Sequence, residues 1–164
     1  MIYHGVIYRQ YAILPGTLRT NTTRTMTKAP LGKKEFETLS RFRYQLRRFL
    51  RFSEQVTRAN GVTPLQYLLL LHIKGYPERD WATIGELAEK LQSQHHGVVA
   101  LVTRCEALGW VYRQQSQTDR RGVEVHLTAK GEKVVEKLAR LHRDELVNLE
   151  GAFRVPQVRD LLAE

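Results

Sequence analysis

The chain has 164 residues, the length of one ordinary domain and enough to bury a core without covalent staples. Lysine and arginine outnumber the acids to give a formal charge of +9 and a pI near 9.9, which favours a polyanionic partner without naming it. A single cysteine, Cys105, excludes an internal disulfide and a Cys-rich zinc module and fits a reducing cytoplasm. The longest apolar run, YLLLLHI at 67–73, is far short of the roughly 20 residues that span a bilayer, so a soluble protein with no membrane partner is expected.

Residues 1–33 contain no Asp or Glu and crowd six threonines between Thr17 and Thr27. They read as a poorly ordered basic leader, with Met26 as a candidate true start, or as a basic arm that touches DNA phosphate. VIYRQYAIL is broken by Arg9 and Gln10, which argues against a secretory signal.

Over residues 34–60 the pattern turns helical, with Phe36, Leu39, Phe42, Leu46, Phe49, Leu50 and Val56 on one stripe and Arg41, Arg43, Arg47, Arg48 and Arg51 opposite. Such a helix cannot bury its stripe on itself; it needs the C-terminal helix or a second subunit, and is read as a dimerisation helix. Thr63, Pro64 and Gln66 form a start signal for TPLQYLLLLHIKG, apolar nearly all round and therefore central. GYPERD at 75–80 makes a loop. WATIGELAEKL follows, with Thr83 and Glu86 as a second capping box and Ile84, Leu87, Ala88 and Leu91 inward. A tight turn at 92–94 then leads into HHGVVALVTRCEALG, completing a helix-turn-helix.

In that second helix Val98, Leu101, Val102, Cys105 and Leu108 share the core face. His95, His96, Val99, Ala100, Thr103, Arg104 and Ala107 share the other, small or polar and free of acids until Glu106. A helix entering the DNA major groove needs such a face, because its donors and acceptors must reach base edges without repelling phosphate. After Gly109, a helix C-cap, WVYRQQ and VEVHLT alternate as two strands joined by SQTDRRG. A helix-turn-helix followed by such a hairpin is a winged helix. Arg120 and Arg121 at the tip can reach a minor groove or flanking phosphates, and Asp119 reads as a brace that pairs with one guanidinium or bonds the turn backbone. The expected fold is mainly α with a small β-hairpin wing (α+β), a winged helix-turn-helix over 61–128. Dimerisation helices over 129–164 follow, with Thr128 as cap, Val134, Val135, Leu138, Leu141 and Leu146 as stripe, and Leu161 and Leu162 after Pro156 at the dimer interface.

These residues resemble the MarR family of winged-helix transcriptional regulators. The resemblance runs from about Phe36 to Leu149 and is carried by VTPLQYLLLLHI at 62–73, IGELAEKL at 84–91, VTRCEALGWVYR at 102–113, the wing TDRRG at 118–122 and LTAKGEK at 127–133. It implies a homodimer with interlocked terminal helices, two recognition helices presented to a palindromic double-stranded DNA operator, and repression relieved by a small ligand or an oxidant. The positions it matches to DNA contact are Gln94, His95, His96, Val99, Ala100, Thr103, Arg104, Arg120 and Arg121, and Arg113 at the wing base joins them. It also places a ligand between dimerisation helices and winged helix, with Phe42, Tyr67, Leu71, His72 and Trp110 as candidates for an acidic or phenolic effector or as plain core. The histidines at 95 and 96, where the family commonly has hydroxyl residues, leave the base sequence open. An imidazole meeting phosphate would tighten binding as pH falls.

No cofactor or metal is expected: adjacent histidines on a helix diverge by about 100° and no further ligand lies at suitable spacing. Cys105, on the inner face, reads as an inert small hydrophobe rather than a redox sensor. Without a phosphate loop, metal cluster or nucleophile motif, the chain does not read as an enzyme. Two rivals to a sequence-specific regulator stay open: a winged helix used as a protein-interaction module, and a DNA-compacting protein indifferent to sequence.

Overall fold

The computed structural model describes residues 30–116, 122–148 and Pro156, all but the first two of them in the compact unit Gly32–Glu164. The elements of that unit in chain order are α1 (Lys33–Ala59), α2 (Pro64–Lys74), β1 (Trp81–Thr83), α3 (Ile84–Lys90), α4 (His95–Ala107), β2 (Val111–Gln115), β3 (Val123–Leu127) and α5 (Ala129–Asn148). It is mainly helical with a small antiparallel sheet.

Local chemistry sets most of the boundaries. At the end of α1 the chain passes through Asn60 and then Gly61 at φ +70, a left-handed conformation in which a side chain would be strained. Thr63 then caps α2 reciprocally: its hydroxyl accepts from Gln66 N at 3.3 Å, and Gln66 Oε1 accepts from Thr63 N at 2.8 Å. Gly109, also at φ +70, ends the α4 segment and turns the chain into β2. Thr128 starts α5, its hydroxyl accepting from Gly131 N at 3.0 Å.

The core gathers Leu69, Leu70 and Ile73 of α2 with Leu87, Val98, Val102, Val111, Val125 and Leu138. Each such side chain contributes about 1.5–3 kcal/mol of burial free energy. Helix α2 packs against all four other helices and against β1 and β3, so it is central as its composition implies, although Leu65 and Leu68 on one edge reach the surface.

Three expectations are corrected. The sheet has three strands in the order β1-β3-β2, not two: Trp81, Ala82 and Thr83 pair with His126, Val125 and Glu124. Three residues show no helical or strand period, and only the unpaired edge of β3 recruits them. Leu108 is 41% exposed rather than core, because the helix has ended at Ala107 and its terminal turn faces outward. The simple alternation of β3 also fails. Its Val125 is fully buried, Val123 only half so, and Glu124 on the other face is buried as well. That outer face is covered by a cross-strand row in which Tyr112 stacks on His126 at 5.1 Å with Trp81 beyond it, while Glu124 lies 3.0 Å from His126 Nε2.

On α1, Phe42, Leu46, Phe49 and Val56 are half-buried, whereas Phe36, Leu39, Tyr44 and Leu50 are exposed. Leu141, Leu146 and Val147 of α5 are exposed too. A buried histidine joins these helices: His142 stacks on Tyr67 at 4.4 Å, bonds Leu138 O through Nδ1 at 2.8 Å and meets Ser53 Oγ through Nε2 at 2.8 Å. Among the described residues no helix is long and apolar enough to cross a membrane.

Candidate nucleic-acid interface

The helix-turn-helix is braced from outside by one carboxylate. Glu86 Oε2 accepts from Thr83 N at 2.8 Å and from the Thr83 hydroxyl at 2.9 Å, while Oε1 accepts from Tyr76 Oη at 2.8 Å and pairs with Arg79. The Arg79 guanidinium lies over two rings, 3.8 Å from the Trp81 centroid and 4.2 Å from that of Tyr76. Burial alone would raise the Glu86 pKa, but the hydrogen bonds from Thr83, Tyr76 and Arg79 outweigh it and hold the carboxyl at about 2. The loop after α2, strand β1 and the start of α3 are thereby one unit. At the other end of α3, Gln92 takes φ +49 and Ser93 N bonds Ala88 O at 3.0 Å, turning the chain directly into α4.

Helix α4 is 13 residues long, about 20 Å at 1.5 Å per residue. Val98, Leu101, Val102 and Cys105 are its buried side. Gln94 at the N-cap and His95, His96, Val99, Ala100, Thr103 and Arg104 are all exposed. Its one acid, Glu106, does not disturb this surface, because Arg113 from β2 pairs with it and the Arg113 backbone N–H donates to Glu106 Oε1 at 3.1 Å.

Arg113 lies on the sheet face that carries Val111 and Val125, which is why its side chain runs towards α4. Its Nη2 donates to Val99 O at 3.1 Å and to the Thr103 hydroxyl at 2.8 Å. With four bonds to α4 it is a clamp on the helix, and its side chain is only 27% exposed. At the wing base, Ser116 N and Gln115 Nε2 both reach Gly122 O, at 3.0 and 3.1 Å, closing the hairpin. Asp119, Arg120 and Arg121 lie outside the described residues, as do Leu161 and Leu162. Between wing base and α4 runs a cleft of about 560 Å³ lined by Thr83, Ile84, Gly85, His95, Val99, Thr103, Arg113, Gly122 and Val123.

The five effector-site candidates differ in burial. Tyr67 and Trp110 are core residues and Leu71 packs against that core. Phe42 on α1 and His72 on α2 are half-buried outside it. Burial, aided by the nearby Lys90 charge, lowers the His72 pKa. Cys105 is fully buried and its thiol is pushed up to about 11 by burial, against a small opposing effect of Arg104. Among the described residues no group of three or more His, Cys, Asp or Glu is placed to hold a metal ion. Sequence reading missed the roles of Glu106, Tyr76, Arg79 and His142. The seven-residue step from Glu106 to Arg113 crosses from a helix to a strand, so no single period shows it.

A helix-turn-helix flanked by a three-stranded antiparallel sheet defines a winged-helix protein. Residues 60–122, which hold α2, the helix-turn-helix and the first wing strand, match the model of the MarR family. A Thauera aromatica protein whose name assigns it to transcriptional regulation of the hcr operon is 32% identical over 101 residues, 62% of this chain. The chain spans 57% of the length of that relative. AbsC, a MarR family transcriptional regulator from Streptomyces coelicolor, superposes with a TM-score of 0.62 at 24% identity, over 82% of this chain and 84% of its own. A MepR mutant from Staphylococcus aureus bound to an oligodeoxyribonucleotide does so with a TM-score of 0.56 at 21% identity, over 76% and 87%. At these identities the two structures speak for the fold.

Proposed function

We propose that the protein is a sequence-specific, double-stranded DNA-binding transcriptional regulator that inserts α4 into the major groove and lays its wing on flanking DNA. The observation that carries this reading is the outward face of α4: exposed His95, His96, Val99, Ala100, Thr103 and Arg104, with the helix's one acid neutralised by Arg113. Groove entry requires such a face, and the net charge of +9 supplies long-range attraction to phosphate. Gln94 at the helix start, Arg120 and Arg121 in the wing tip and Asp119 as their brace complete the proposed contact set. Arg113 acts within it through α4.

Homodimerisation and a palindromic operator belong to the same proposal, supported by the exposed apolar residues Phe36, Leu39 and Leu50 on α1 and Leu141, Leu146 and Val147 on α5. So do a cytoplasmic location and relief of repression by a small acidic or phenolic effector.

Fluorescence anisotropy at physiological salt, with duplex from the protein's own upstream region against a scrambled duplex of equal length, tests the reading. The expected result is a preference of about 10³-fold or more, with two subunits per site. Arg121→Ala should weaken binding by about 1–3 kcal/mol, roughly fivefold to over a hundredfold, and flatten its salt dependence. Equal binding to both duplexes would replace the regulator with a compacting protein. No binding to either would replace it with a protein-interaction module.

A further inference from the structure

We propose that Thr103 is a specificity-determining residue that accepts a hydrogen bond from a base amino group, adenine N6 or cytosine N4, with Arg113 as the positioning residue that leaves it acceptor-only. The inference rests on the DNA-reading proposal above.

A threonine hydroxyl has one proton and two acceptor lone pairs, so a free one on a recognition helix reads donors and acceptors alike. Thr103 is not free. Its Oγ1 lies 3.0 Å from Val99 O, one helical turn back, and its proton goes there. Arg113 Nη2 donates to the same Oγ1 at 2.8 Å, taking one lone pair and keeping the hydroxyl proton off that side. The guanidinium is held in turn by Glu106 and by Val99 O, so it cannot swing away without depriving that carboxylate of its counter-charge. One lone pair remains on an exposed side chain at mid-helix, bordering the cleft beside the wing. In the major groove the groups that can donate to it are the amino groups of adenine and cytosine; guanine N7 and O6 and thymine O4 are acceptors and would meet it lone pair to lone pair.

Selection from a random-duplex library with the purified full chain, followed by sequencing, provides the test. Each half-site should hold one base pair whose preference depends on Thr103, and replacing its adenine by purine or its cytosine by 2-pyrimidinone, which removes the amino group, should weaken wild-type binding roughly three- to tenfold and add nothing to the loss in Thr103→Val. Thr103→Val, which keeps the shape and removes the hydroxyl, should cut that preference by roughly three- to tenfold, the worth of one neutral hydrogen bond, while Thr103→Ser retains it. Arg113→Lys, which preserves a charge for Glu106 but cannot reach Thr103 in the same fork, should admit guanine or thymine at that position, a change of base identity that mere loosening of the fold would not produce. A motif that Thr103→Val leaves intact overturns the inference, as does wild-type binding that loss of the base amino group at the Thr103-dependent pair leaves unchanged. A library in which no motif is enriched overturns the DNA-reading proposal itself. Thr103 is a surface residue, so its variants fold and keep the inference testable even if Arg113→Lys does not.

Discussion

Replacing Gly131 with alanine should destabilise the fold strongly, although the change improves helix propensity. Gly131 is buried in the first turn of α5, and an added Cβ would lie 2.0 Å from Trp110 O and 2.9 Å from Trp110 C. Backbone atoms cannot swing aside, so α5 must withdraw by at least about 1 Å to reach even the 3.0 Å floor of real Cβ contacts. The approach is fixed by Thr128 N to Trp110 O at 3.0 Å, the Thr128 hydroxyl to Gly109 O at 2.7 Å and Lys130 Nζ to Leu108 O at 2.8 Å. Overpacking costs about 1–3 kcal/mol, and losing two of these bonds about 2 more, while alanine returns about 1. The net loss is about 2–4 kcal/mol, equivalent to a fall in melting temperature of about 5–15 °C for a domain of this size. Gly85 and Gly97 also lie within helices, but a Cβ added at either would meet nothing within 4 Å, so Gly85→Ala and Gly97→Ala should each stabilise by about 0.5–1 kcal/mol. Thermal unfolding followed by circular dichroism at one protein concentration reads all three. A Gly131→Ala protein that melts at or above the wild-type temperature would mean that α5 can move off Trp110 without cost, and the contact would then have no energetic weight.

Glu86, held at about 2 against an ordinary 4.5, contributes stability that is complete above pH 4.5 and is lost as pH falls towards 2. Acid titration of the unfolding free energy should show this loss, and Glu86→Gln should flatten it by about 1–2 kcal/mol after allowance for partial exposure; an unchanged acid limb would count against the brace. Cys105, buried and with its thiol at about 11, should react with an aromatic disulfide reagent at pH 7 orders of magnitude more slowly than a free thiol, and reach the free-thiol rate only in denaturant. Rapid labelling of the folded protein would show the thiol to be accessible. His142→Ala should cost about 2–4 kcal/mol in urea unfolding, because it empties the space against Tyr67 and leaves Ser53 without its partner; a loss below 0.5 kcal/mol would mean that α1 and α5 are joined by other contacts.

Features whose cause lies within a few residues are legible in the sequence. Thr63 and Gln66, Thr83 and Glu86, and Gly61 and Gly109 announce helix ends, because caps and left-handed turns are satisfied by immediate neighbours. The two faces of α4 follow from its 3.6-residue period, and Leu-Thr-x-x-Gly at 127–131 marks a start whose glycine turns out to be required by contact with Trp110. Features that depend on partners distant in the chain emerge only on packing. Strand β1 exists because β3 offers it an edge, and Glu124 is buried because Trp81, His126 and Tyr112 come together from three strands. Arg113, one more basic residue in the sequence, becomes a clamp on Glu106 and Thr103 because β2 runs beside α4. Periodicity tells a residue which way to face, but only packing supplies the atom it meets there.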